Sequence, residues 1–364
     1  MIALAPLGAF LIVLVLWDAF ETMVLPRRID RNFRLARFFY RGSWAVWRGI
    51  ATRISREQTR ESVLAIFGPL SILTLFALWA ACLILGFALV LSSQSPHILI
   101  GGQTAGFGNT MYMSATNFFT LGLGDVAPNT AFARAVTATE AGTGFGFLAL
   151  VIGYLPVLYQ AFSRREVSIS LLDARAGSPP SAGEIIRRIN ADGDSAEIER
   201  LLAEWERWSA DLLETHLSYP ILGYFRSQHD RESWLAALTA MLDFSALMKV
   251  HAGGRMRRQS QLSFAMARHA VVDLAQIFAR ELRDPDPPRL SQSEARMLIA
   301  LCSEAGFAAD DEAAAERQLN DLRATYEPYV LSLSEFFLMP LPPWVPATTR
   351  PDDWRTSDRE SILS

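Results

Sequence analysis

The chain has 364 residues, 51% of them hydrophobic, and its mean hydropathy is positive, which excludes an ordinary soluble composition and calls for membrane segments. Its net charge of −4 is unevenly divided: the first 165 residues hold 13 Arg against 7 acids, and the remainder holds 21 basic against 31 acidic residues. An acidic second half argues against nucleic acid as a partner.

In chain order, the first apolar run is Ile2 to Leu25, long enough to span a bilayer at the roughly 20 residues a helix needs. It has no basic start, and its end, Met23-Val24-Leu25-Pro26, lacks the small residues of a cleavage site, so an uncleaved helix is expected. Asp18 and Glu21 lie late in this run, with Arg27 and Arg28 as expected ion-pair partners. From Arg27 to Arg60 there are ten Arg and no Lys. Within that stretch Phe33, Phe38, Phe39, Tyr40, Trp44 and Trp47 alternate with Arg34, Arg37, Arg41 and Arg48, a mixture that predicts a helix on the membrane surface.

The second run is Val63 to Leu91, and the third is Phe132 to Phe162. Between them, Ser92 to Ala131 contains no Arg or Lys. Positive residues stay on the cytoplasmic side, so 27–60 is expected inside, 92–131 outside, the N-terminus outside and the long second half cytoplasmic. Near-exclusive use of Arg over Lys points to a bacterial plasma (inner) membrane. None of the spans carries regularly spaced arginines, so a voltage sensor is not supported.

Inside the 92–131 segment, Asn109 to Phe119 is mostly apolar and too short to span, so it is expected to enter the membrane as a helix and return, with Asn109 or Thr110 as its cap. Thr120-Leu121-Gly122-Leu123-Gly124-Asp125 follows, then Pro128 and the third run. Alternate glycines let a backbone turn its carbonyls toward one axis, where a ring of them can replace the water around a cation.

In the third run Glu140 is an acid in a membrane span, braced by hydrogen bonds (Thr116 and Asn117 are candidates) or active in conduction or gating. Gly142, Gly144 and Gly146 are pore and gating candidates: Gly144 as a bend point, Gly142-x-x-x-Gly146 as a close-packing face.

The second half reads as helices at Ser181–Asn190, Ser195–His216, Arg231–His251, Gln259–Leu282, Ser291–Glu304 and Asp311–Phe337. Breaks fall at Gly177-Ser178-Pro179-Pro180, Gly253-Gly254 and Asp284 to Pro288, and the tail from Pro340 is expected to be loosely ordered. Cys82 and Cys302 are not expected to pair, and no metal set, phosphate loop or nucleophile motif is visible.

Short helix, Thr-x-Gly-x-Gly-Asp, proline and apolar helix, in that order, resemble the pore domain of bacterial potassium channels of the two-transmembrane, pore-loop type, whose filter reads Thr-Val-Gly-Tyr-Gly. The resemblance is strongest over 109–165, with Val63–Leu91 as the outer helix. It implies an all-α membrane protein: three transmembrane helices with a re-entrant pore loop, then a helical cytoplasmic domain. The implied boundaries are 1–26 for the N-terminal transmembrane helix, 27–62 for the interfacial segment, 63–165 for the pore domain, 166–338 for the helical cytoplasmic domain and 339–364 for the Pro-rich tail. It also implies that the carbonyls of Thr120, Leu121, Gly122 and Leu123, with the Thr120 hydroxyl, form the ion sites, and that Asp125 braces the outer mouth. One pore segment per chain implies a homotetramer.

The implied function is passive, potassium-selective conduction with no cofactor beyond the permeating potassium, no enzymatic activity, and membrane lipid and its own copies as partners. A cytoplasmic ligand or protein partner is left open. The sequence departs from the family at Leu121, at Leu123 where an aromatic ring is usual, and at Phe119 where many members carry a second Thr. A weakly selective pore, or a non-conducting membrane-anchored regulatory protein, is the alternative that these departures leave.

Overall fold

The computed structural model describes residues 4–25, 34–93, 98–100, 103–190, 195–228, 232–278, 281–282, 285–307, 309 and 311–345. The chain forms two compact units, Met1–Gln160 and Ala161–Ser364.

The first unit contains α1 (Leu4–Met23), α2 (Leu35–Ala51), α3 (Glu57–Ser92), α4 (Phe107–Phe118), three short strands and the start of α5 (Ala131–Ala176). Three of these helices, α1, α3 and α5, are long and apolar enough to cross a membrane. Helix α5 runs well past the expected end at Phe162, because 163–176 holds no breaker; it stops at Gly177, whose φ of 79° suits glycine. Between α1 and α3 the backbones nearly touch. A Cβ on Gly8 would lie 2.4 Å from the Gly86 carbonyl oxygen, so only glycine permits this contact.

Asp18 is buried. Arg27 and Arg28, its expected partners, lie outside the described residues. The Asp18 carboxylate accepts from the Trp79 indole on α3 at 3.0 Å and from the Ala36 backbone N–H at 3.0 Å. Ala36 is in the first turn of α2, where N–H groups have no partner inside the helix and Arg34, at the N-cap, offers no side-chain acceptor. Asp18 thus caps α2 from a different helix and sets a carboxylate against its positive end. Glu21 accepts from the Trp17 indole at 2.6 Å and pairs with Arg34 at 3.5 Å.

The segment before α4 is more regular than its sequence suggests. Strands β1 (Ile98–Ile100), β2 (Gln103–Thr104) and β3 (Val126–Pro128) form an antiparallel sheet in the order β2-β1-β3, with Leu99 opposite Thr104 and Ala127. Ile98 and Val126 pack with Leu91, Met113 and Ala133, so this sheet anchors both chain ends of the α4 segment to the tops of α3 and α5. Strands of two or three residues are too short to show an alternating pattern.

The second unit holds the end of α5, then α6 (Ala182–Asn190), α7 (Ser195–Ser218), a 3-10 turn at Pro220–Tyr224, α8 (Trp234–His251), α9 (Gly254–Phe278), α10 (Gln292–Glu304), α11 (Glu312–Ala324) and α12 (Glu327–Phe337). Helix α8 is its centre, buried along nearly its whole length. Ser233 caps α8, Ser291 and Glu294 form a capping box on α10, and Asp311 caps α11.

Three expectations change in this unit. Helix α9 starts at Gly254, five residues before Gln259. The expected single helix Asp311–Phe337 breaks near Tyr326, because Pro328 has no N–H to continue α11 and sits in the first turn of α12. The tail is not loose over its first residues: Trp344 is fully buried, the Trp344 carbonyl accepts from the Gly183 N–H at 2.9 Å, and the Pro342 carbonyl accepts from Arg289 at 2.9 Å.

Arg165 is buried and fully engaged within this unit. Its guanidinium donates to the carbonyls of Leu222 and Phe225, both at 2.9 Å, and lies 3.3 Å from His216 Nε2. His216 Nδ1 is 2.8 Å from the Leu212 carbonyl, which can only accept, so Nδ1 carries the proton and Nε2 receives the Arg165 hydrogen. Burial, reinforced by Arg165, holds the imidazole down at about 3. Between about 3 and the ordinary 6.5 the unfolded chain binds the proton that the folded chain refuses, so stability falls as pH drops, at about 1.4 kcal/mol per pH unit from this group. Denaturant melts across that range should show stability falling more steeply in the native chain than in His216→Gln, by about this amount. Equal slopes in the two would refute it.

Candidate functional site

Helix α4 is a single short helix of 12 residues. It begins two residues earlier than expected. Its N-cap is Gly106, in extended conformation and without a side-chain cap, and Thr110 bonds back to the Gly106 carbonyl at 3.3 Å, so neither Asn109 nor Thr110 is the cap.

At its C-terminal end the chain leaves the helix with φ alternating in sign. Thr120 has φ 60°, Gly122 56° and Gly124 77°, all left-handed, while Leu121 and Leu123 are not. Glycine meets that demand at no steric cost, whereas Thr120 carries a strain of about 1–2 kcal/mol. The N–H groups turn inward: Thr120 donates to the Asn117 carbonyl at 2.9 Å and Leu121 to the Thr116 carbonyl at 2.7 Å, with Gly122 at 3.4 Å from the same oxygen. Among the described residues no turn or loop backbone N–H donates to the carbonyls of Thr120 to Gly124, and all five residues are exposed in the single chain. The Tyr112 phenol on α4 interacts with the Asp125 carboxylate just past this segment.

Glu140, on α5, is completely buried, and its partner is neither Thr116 nor Asn117. Thr116 bonds to the Met113 carbonyl at 2.9 Å within its own helix. The partner is Ser114 on α4, whose hydroxyl hydrogen-bonds Glu140 and lies 2.8 Å from the Ile84 carbonyl on α3. One hydroxyl hydrogen cannot serve two acceptors. The set closes when Ser114 donates to Ile84 and Glu140 donates its own proton to Ser114, which also spares the span a buried charge. Three helices, α3, α4 and α5, meet at this one serine.

Gly144 is the glycine of α5 that approaches α4. A Cβ there would lie 1.9 Å from the Phe118 carbonyl oxygen, whereas Gly142 and Gly146 have nothing within 4 Å. Beside this contact the Phe118 ring meets Phe119 at 5.4 Å and Phe147 at 5.9 Å, and Phe76 lies 6.5 Å from Phe147 and 6.1 Å from Tyr154. These aromatic rings back the end of α4, and no single motif in the sequence pointed to them.

Residues 73–160, which include all of this site, match the family described as ion channel. This segment is similar to ion-channel domains. The matched segment takes in most of α3, the whole of α4, β3, and α5 as far as Gln160. An uncharacterized membrane protein of Bacillus subtilis (strain 168), YdjJ, is 28% identical over 260 residues, 68% of this chain and 74% of that one. No solved structure matches the chain.

Proposed function

We propose that four copies of this chain form a potassium-selective channel, with the carbonyls of Thr120, Leu121, Gly122 and Leu123 and the Thr120 hydroxyl as its ion sites. The observation that carries the proposal is the alternating sign of φ from Thr120 to Gly124 with the N–H groups of Thr120, Leu121 and Gly122 tied back to α4. A backbone with its donors held on one side presents its carbonyls on the other, and a ring of carbonyls can stand in for a cation's hydration shell. The C-terminal carbonyls of α4 add negative potential close by. Asp125, in contact with Tyr112, braces the outer mouth. Arginine placement supports 92–131 outside and the second unit in the cytoplasm, in a bacterial inner membrane.

Liposome flux tests the proposal: potassium uptake blocked by barium is expected, and absence of flux refutes it. Reversal potentials in a sodium–potassium gradient test the selectivity. Leu123 is 60% exposed in the single chain and gives the filter no ring to pack behind it. Leu123→Tyr is expected to raise the preference for potassium several-fold, for about 0.5–1.5 kcal/mol of added ring packing. A wild-type reversal potential near zero would instead favour the weakly selective pore, the reading that Leu123 itself suggests.

A further inference from the structure

Helix α2 carries three different faces. At about 100° per residue, Ala36, Trp44, Trp47 and Ala51 share one side. Trp44 is buried against Phe67 at 4.9 Å, and the Trp47 indole donates to the Val63 carbonyl at 3.0 Å, so this side is packed on α3. Arg37, Arg41 and Arg48 fall within about 40° of one another on the adjoining edge. Among the described residues they form no ion pair, and α2 contains no acidic residue to neutralise them. The remaining arc holds Phe38, Val46 and Ile50, spread over about 120° and 50%, 66% and 47% exposed.

A helix facing water would not leave such side chains bare beside three unpaired arginines. Its N-terminus is pinned by Asp18 of α1 and its packed side lies on α3, so both neighbours are candidate membrane spans. That fixes α2 at the level where a span ends, the headgroup layer. We propose that α2 is an anionic-phospholipid site: the Arg37, Arg41 and Arg48 guanidiniums engage lipid phosphates while Phe38, Val46 and Ile50 enter the acyl boundary beside them. Guanidinium is suited to this because its planar donor fork matches two phosphate oxygens at once. The inference rests on the membrane spans and not on the ion pathway, so a chain that fails to conduct leaves it intact.

The test uses the full chain. Purified protein is exchanged between phosphatidylcholine and phosphatidylglycerol vesicles or nanodiscs, and the lipid retained is quantified. Phosphatidylglycerol is expected to be enriched around the native chain, and Arg37→Gln, Arg41→Gln and Arg48→Gln together should reduce that enrichment on the order of tenfold. Arg53→Gln with Arg56→Gln, exposed but beyond α2, should leave it within about twofold. Unchanged enrichment in the triple variant, or an equal loss in the double one, overturns the proposal.

A second arm does not depend on removing charge. In a Cys82→Ser, Cys302→Ser background, a nitroxide at Val46→Cys should be reached by oxygen more readily than by a water-soluble nickel chelate. Preferential access by the chelate would show a solvated face, and access by neither would show a covering second copy. Either result overturns the proposal.

Discussion

Alanine at Gly144 is expected to abolish the proposed conduction and to destabilise the packing of α4 on α5, although it adds one methyl group. That methyl carbon would sit 1.9 Å from the Phe118 carbonyl oxygen, with the carbonyl carbon at 2.7 Å. The obstacle is backbone, not the tip of a flexible side chain, so α4 and α5 must separate by about 1 Å at this point, a form of overpacking that typically costs about 1–3 kcal/mol. The damage is greater than that figure conveys, because Phe118 is two residues before Thr120. Thr120 and Leu121 donate to the Asn117 and Thr116 carbonyls, in the turn that would have to move. Gly142→Ala and Gly146→Ala are the controls: with nothing within 4 Å of either position, both should fold normally within one subunit. Thermal melting and liposome flux of the three variants decide it. A Gly144→Ala chain with native melting and native flux would remove the close approach from the account.

The same residues show what could be seen in sequence. Glycines 142, 144 and 146 look equivalent as a pattern, yet at about 100° per residue Gly144 lies on the face roughly opposite the other two. Which face meets α4 depends on how α5 is rotated, and periodicity carries no information about that. The spans, the arginine-rich helix and the Thr-x-Gly-x-Gly-Asp segment were legible because each is a local property: a run of apolar residues, a mixture of types, a spacing of glycines. The break before α12 has an equally local cause in Pro328, yet the periodicity alone ran one helix from Asp311 to Phe337 across it.

Partners far apart in sequence were not legible. Ser114 reaches Glu140 across 26 positions and Asp18 reaches Trp79 across 61. A buried acid signals that a donor must exist; it does not name the residue that supplies it. For Glu140 the sequence offers Thr116 and Asn117 as donors on α4, and the structure supplies Ser114 of the same helix.

The largest loss of stability in the second unit is expected from Asp243→Ala. Asp243 is fully buried on α8; it accepts from Arg289 at 2.8 Å and from the Tyr326 hydroxyl at 2.5 Å. Glu327 accepts from Arg289 at 3.3 Å and from Arg323 at 3.1 and 3.2 Å. Two carboxylates thus balance two guanidiniums, with the Trp344 ring 5.9 Å from Arg289 and 5.6 Å from Arg323. Removing Asp243 alone leaves a buried excess of positive charge and an orphaned Tyr326 hydroxyl, at a cost of about 3–5 kcal/mol. Removing its partner as well, in Asp243→Leu with Arg289→Met, returns the cluster to neutrality through Glu327 and Arg323. That double variant should therefore be more stable than Asp243→Ala, because the penalty lies in the unpaired charge and not in the loss of an ion pair. It should still free the Pro340–Val345 segment, which would lose the bond from Arg289 to the Pro342 carbonyl. Denaturant melts separate the charge effect, and faster hydrogen exchange at the Gly183 N–H, which is held by Trp344, reports the release. A double variant less stable than Asp243→Ala would mean that the ion pair itself, and not charge balance, holds α8, α12 and the tail together.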